Sequence, residues 1–144
     1  MSQREIAYTA LFQTLETLVT AGIFRVVQRR LRSLNDMNAA DLPALFMGVG
    51  DQDVTARHGL PPRRRLGAEI FLYAANPDPA NAAGTQLNNL IDAVEAALAP
   101  ATPGLTQTLG GAVEHCWIEG VIAVYEAPKG QRAAALVPVH MMLP

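Results

Sequence analysis

The chain has 144 residues, half of them hydrophobic and 17% charged, with a net charge of −2 at neutral pH. That size suits one domain, able to bury roughly two-thirds of the surface its unfolded chain exposes, so neither disulfides nor a metal is needed for folding. The charge balance excludes an overall field that draws the protein to nucleic acid or an anionic membrane, and the single cysteine, Cys116, excludes an intrachain disulfide.

The first element predicted is a helix. Ser2 and Glu5 have capping-box spacing, and Tyr8, Leu11, Phe12, Leu15, Leu18 and Val19 recur on one apolar stripe that Gly22 is placed to end. From Ile23 to Leu31 the period changes to two, which predicts a strand, and arginines on both faces suit a sheet edge. SLNDMNAADLP is a loop, Ala44 to Val49 a short apolar strand, and Gly50 to Pro62 a long polar loop closed by two prolines.

Arg63 to Ala75 alternates as a strand, and NPDPANAAG is a turn-rich connector. Thr85 is expected to cap a second helix with the stripe Leu87, Leu90, Ile91, Val94 and Leu98, leaving Asp92 and Glu95 outside it. Ala112 to Glu126 reads as one long strand, residues 127–131 as a hairpin turn, and Arg132 to Leu143 as the last strand. Pro138 lacks a ladder donor, so that strand should lie at an edge or be bulged there. The expected fold is α+β: a mostly antiparallel sheet of about five strands with two helices packed on it, in the order α-β-β-β-α-β-β, within one domain spanning 1–144.

The residues that carry chemistry are sparse. His58, His115, His140 and Cys116 lack zinc-site spacing, because neighbours on a strand, such as His115 and Cys116, point to opposite faces. The same argument removes His115 as a base for the Cys116 thiol. Asp51 and Asp53 could hold a cation only with further ligands, and none is placed nearby. Gly48-Val49-Gly50 is no dinucleotide fingerprint, because Asp53 stands where the third glycine belongs and no βαβ unit follows. Ser2 and Ser33 are the only serines, and neither sits in a nucleophile elbow. No catalytic residue, metal site or cofactor is expected.

Arginine is the unevenly spread residue. Arg25, Arg29, Arg30, Arg32, Arg57, Arg63, Arg64 and Arg65 lie within one stretch whose only acids are Asp36, Asp41, Asp51 and Asp53. If the first and third strands lie close, these side chains form a basic patch. A solvated face, a contact to an acidic protein and a contact to nucleic acid are the competing readings. Arginine's planar fork suits the second, and missing aromatic interleaving counts against the third.

The helix REIAYTALFQTLETL, the basic strand FRVVQRRL, the run ALFMGVGDQDV leading to RRRLGAEIFLYAA, the helix TQLNNLIDAVEAAL and a closing hairpin make a familiar order. It resembles the tail terminator (minor tail, or tail completion) proteins of long-tailed bacteriophages, over nearly the whole chain but without a diagnostic motif. The resemblance implies a structural virion protein that forms a hexameric ring on the head-proximal end of the tail tube, stops tube polymerisation and presents a surface to the head-side connector. Its partners would be copies of itself, the tube protein and the connector, with no membrane and no sequence-specific nucleic acid, although the genome passes through such a lumen. The chain would be made in the host bacterial cytoplasm, in keeping with an opening that lacks signal-peptide regions and with the absence of any apolar run near the roughly 20 residues of a membrane span. The long loops at 32–43, 50–62, 75–84 and 100–111 would supply axial contacts. Two alternatives stand beside this: another connector or tube subunit, and a small enzyme or ligand-binding domain that uses the 50–62 loop.

Overall fold

In the computed structural model, which describes every residue except 77, 79, 81 and 128–130, helix α1 (Gln3–Thr20) starts where the Ser2 hydroxyl accepts the Glu5 N–H at 3.1 Å. The reciprocal half of the capping box is replaced, because the Glu5 carboxylate accepts from Arg29 instead. Ala7, Tyr8, Leu11, Leu15 and Leu18 are buried along one face. Gly22 takes the left-handed conformation (φ 78°) just past the end, where a side chain would be strained. Val19, expected on the buried stripe, is exposed.

Six strands form one sheet: β1 (Val26–Gln28), β2 (Ala44–Arg57), β3 (Leu60–Ala75), β4 (His115–Ile118), β5 (Ala123–Glu126) and β6 (Arg132–Met142). The order is β1-β2-β3-β6-β4, with β5 also on β6, and every pairing is antiparallel except β1 with β2. The α+β class expected above holds, and the element order matches apart from one additional strand after α2. Helix α2 (Ala83–Leu98) buries Ala83, Leu87, Leu90, Val94 and Leu98. Both helices cover the same sheet face, where Leu45, Met47, Leu66, Ile70, Leu72, Val137 and Met141 are fully enclosed. Burying each of the larger side chains contributes about 1.5–3 kcal/mol. The opposite face has a smaller cluster, with Met37 and Leu42 of the 32–43 connector closing over Ala44, Phe46 and Tyr73.

Several boundaries differ from expectation. The first strand is three residues long rather than Ile23–Leu31, since only Val26–Gln28 finds a partner row on β2. The connector at 32–43 contains two single turns of 3-10 helix, Leu34–Asp36 and Ala39–Asp41. Thr85 is not the cap of α2: the helix begins at Ala83, and no side chain caps it. The strand expected over Ala112–Glu126 is broken into β4 and β5. The break lies between the Ile118–Val139 and Ala123–Leu136 pairs, opposite Pro138, whose missing N–H leaves nothing for a neighbour to accept. Gly120 supplies the turn with φ 118° and packs against the Pro138 ring. Strand β6 is therefore interior, and the proline is accommodated by a bulge in its neighbour. The hairpin turn expected at 127–131 falls mostly outside the described residues, as do three positions of the 76–84 connector.

The largest correction concerns the loop expected at 50–62. These residues continue β2, turn at His58-Gly59 (Gly59 φ 71°) and return as the start of β3, so the strand expected from Arg63 begins at Leu60.

Candidate assembly surfaces

The hairpin made by the ends of β2 and β3 projects from the body as an arm. Its root is a bulge at which Gly50 and Asp51 oppose Gly67, between the Val49–Ala68 and Gln52–Leu66 pairs. A Cβ on Gly67 would lie 2.5 Å from the Asp51 carbonyl oxygen, so only glycine admits this approach. Helix α1 clamps the root. The Tyr8 hydroxyl donates to the Gly67 carbonyl at 2.7 Å, and Arg4 Nε donates to Gln52 Oε1 at 2.8 Å. On the other side Arg63 pairs with Glu114 at 2.7 Å, and the Leu143 N–H reaches the Arg64 carbonyl at 3.0 Å.

Beyond the Arg65–Met142 row no third strand follows, and the arm continues as two strands for about 15 Å. Every residue from Asp51 to Pro61 is exposed, including Val54 at 58% and Leu60 at 60%. Pro61 and Pro62 sit at a second irregularity, between the Thr55–Arg63 and Arg57–Leu60 pairs, where ladder donors are dispensable. An isolated hairpin of this kind is marginal in water. Its apolar side chains bury nothing in their own chain.

The arginines do not form one patch. Arg25, Arg29, Arg30 and Arg32 lie beside β1 at one lateral edge, whereas Arg57 at the end of β2 and Arg63, Arg64 and Arg65 on β3 lie on the arm. Three are neutralised by acids: Arg29 by Glu5, Arg63 by Glu114 and Arg65 by Asp53. Arg25 donates to the Ala40 carbonyl at 3.2 Å and Arg57 to the Pro61 carbonyl at 2.6 and 2.9 Å. The side chains of Arg30, Arg32 and Arg64 have no hydrogen-bond or ion-pair partner among the described residues. Arg29 also lies over the Tyr8 ring, 5.9 Å from its centroid, and its donation holds the Glu5 carboxyl below the usual carboxylate range.

The groups considered for chemistry are dispersed. Asp53 is engaged by Arg65, so Asp51 and Asp53 do not act as a carboxylate pair. Cys116 is buried, and burial pushes its thiol up to about 12, leaving it a neutral core group. His115 faces the other way, stacking on Trp117 at 5.2 Å, while its Nδ1 accepts the Gln107 N–H at 3.1 Å. His140 packs on the same indole at 5.6 Å, and its Nε2 lies 3.0 Å from the Glu119 carbonyl oxygen. Among the described residues no group of three or more His, Cys, Asp or Glu side chains is placed to hold a metal ion. No described helix is long and apolar enough to cross a membrane.

Open sheet edges lie at β1 and at β5. Among the described residues β1 pairs only with β2, and β5 pairs only with β6. The β1 edge borders a groove of about 570 Å³ whose other wall is α1, at Gln13, Glu16, Thr17, Val19 and Thr20. The β5 edge exposes Val124 and Tyr125, by 60% and 57%, beside a groove of about 450 Å³ over Phe71, Tyr73 and Leu136. Sequence reasoning missed the β5 edge because it joined β4 and β5 into one strand. The mismatch between Gly120 and Pro138 was the available signal.

No family model matches the sequence, and no curated protein matches it. The fold does match solved structures. One is a chain in the virion of a native gene transfer agent (GTA) particle, at 13% identity and a TM-score of 0.55, covering 93% of this chain and 91% of that one. At that identity the likeness is one of fold.

Proposed function

We propose that this chain is a structural virion protein of the tail terminator kind. It forms a hexameric ring on the head-proximal end of a phage tail tube, ends tube polymerisation and joins the tail to the head-side connector. The observation that carries the reading is the arm: a hairpin clamped at its root, free at its tip and apolar at Val54 and Leu60, without a partner in its own fold. Such an element is an investment in contact with another chain, because it adds exposed apolar surface and nothing to the core. The likeness of fold to a chain of a gene transfer agent virion, over nearly the full length of both, supports the same reading, as does the resemblance in element order.

A closed ring needs heterologous contacts, in which one surface of a copy meets a different surface of the next. The arm, the β1 edge and the β5 edge are different surfaces of one subunit. Arginines on the arm and beside β1 would contact neighbouring copies, the tube or the connector, with Arg30, Arg32 and Arg64 free to do so. The ligand-binding alternative rested on a loop at 50–62, and that segment is a two-stranded arm.

The test combines light scattering on the purified protein across a concentration series, negative-stain imaging, and growth of tail tubes in its presence. Closed rings, and tubes that stop growing with a ring at one end, are the expected result. Long filaments of the protein alone would identify a tube subunit. A strict monomer that leaves tube growth unchanged would remove the assembly reading.

A further inference from the structure

The register of the sheet relates its two open edges to each other. Val26 is level with Ala44 on β2, Tyr73 on β3, Ala134 on β6 and Tyr125 on β5. Val27 is likewise level with Leu45, Leu72, Ala135 and Val124, and Gln28 with Phe46, Phe71, Leu136 and Ala123. The two edges therefore stand at the same height on opposite sides of the sheet. Strand β1 runs with β2, and β5 runs against it, because β3, β6 and β5 each reverse direction.

The geometry points to a second copy of this chain as the occupant of the β1 edge, its β5 adding antiparallel to β1 and making one sheet continuous between subunits. This rests on the ring reading above and names the contact that closes the ring. A copy added with its strands level with those of its neighbour brings β5 against β1 antiparallel, the pairing in which strands join most favourably.

The side chains at the two edges match row by row. Arg25 lies one residue before β1, its N–H donating to the Pro43 carbonyl, and Glu126 ends β5 in the row of Ala133 and Ala74. Both charged residues are exposed, and neither has a partner of opposite charge among the described residues. Across the joint Val26 would stand opposite the neighbouring copy's Tyr125, Val27 opposite Val124 and Gln28 opposite Ala123, each pair with Cβ atoms about 5 Å apart, and Arg25 would lie at the end of the joint near Glu126. One opposite-charge pair and two pairs of β-branched with aromatic or β-branched residues are favourable combinations on a ladder. Val124 and Glu126 are on the helix-covered face of the sheet, so they would enter the groove between β1 and α1, where Val19 is the exposed apolar residue. Because the rows coincide, successive copies stay level, the condition for a closed ring instead of a rising helix.

The joint is tested by charge reversal in two separate variants. Arg25→Glu makes both edges acidic, and Glu126→Lys makes both basic, so each variant alone meets like charges. Each alone is expected to need at least about tenfold more protein to form rings than the wild type. An equimolar mixture should recover them, because every joint then pairs opposite charges in alternating order. Circular dichroism checks that each variant is folded. Hydrogen exchange on the wild type gives a readout free of substitution: the outward-pointing amides within residues 26–28 and 123–126 should become protected on assembly. If wild-type rings form while both variants assemble normally and exchange at the two edges is unchanged, the edge joint is overturned and the ring reading survives. If the wild type forms no closed assembly, alone or on tubes, the ring reading fails and takes the joint with it.

Discussion

Strand β3 passes through two environments. From Leu66 to Ala74 it lies between β2 and β6 under two helices, with Leu66, Ile70, Leu72 and Ala74 fully buried. From Leu60 to Pro62 the same strand has β2 alone for company, and no residue is buried as far as Arg64. The first segment is held by its side chains and the second by its ladder, anchored where Tyr8 and Arg4 grip the root. The difference teaches that strand content and core formation separate in this molecule. One part of the sheet stabilises the fold, and another is extended beyond the core for use between chains.

Substitutions can break or sharpen that contrast. Leu72→Ala, in the packed segment, should lower the unfolding free energy by about 2–5 kcal/mol in urea titrations. Gly67→Val, at the junction, forces a Cβ against the Asp51 carbonyl. It should cost about 1–3 kcal/mol and loosen the arm relative to the body, read from the melting curve and from amide exchange at 50–54. Excising residues 56–62 and closing the Thr55–Arg63 pair with an Asn-Gly turn should change stability by less than about 1 kcal/mol while abolishing assembly. A large loss of stability on excision would show that the arm belongs to the folding core after all.

The smallest effect concerns the clamp beside the root. Glu5 titrates below its ordinary value of 4.5 because Arg29 donates to it. Its contribution is therefore present above about pH 4.5 and is lost as pH falls through the lower folded value. Stability curves of Glu5→Gln and wild type should converge in acid and separate above that range. Equal separation at every pH would mean that the Arg29 contact contributes nothing through charge.

The sequence was most legible where burial writes a period into it. The stripe Tyr8, Leu11, Leu15 and Leu18, and that of Leu87, Leu90, Val94 and Leu98, announced both helices, and the alternation of Leu66, Ala68, Ile70 and Leu72 announced the central strand. The arm was illegible for the same reason. With no buried face, residues 51–61 show no alternation, and Asp51, Asp53, Gly59, Pro61 and Pro62 all read as loop formers. The His58-Gly59 turn, flanked by Val54-Thr55, was the faint signal of a hairpin. The arginine cluster misled because nearness in sequence is not nearness in the sheet: four of its members lie beside β1, and four lie on the arm formed by the ends of β2 and β3. Placement of Val26–Gln28 level with Ala123–Tyr125 could not be read without the register of four strand pairings.

Hydrogen exchange at residues 54–63, compared between dilute monomer and assembled protein, tests the central claim most directly. Fast exchange at the arm in the monomer, marked slowing there on assembly, and unchanged slow exchange at Leu45, Ile70 and Val137 in both states are expected. Arm amides that exchange at the same rate before and after assembly would contradict it.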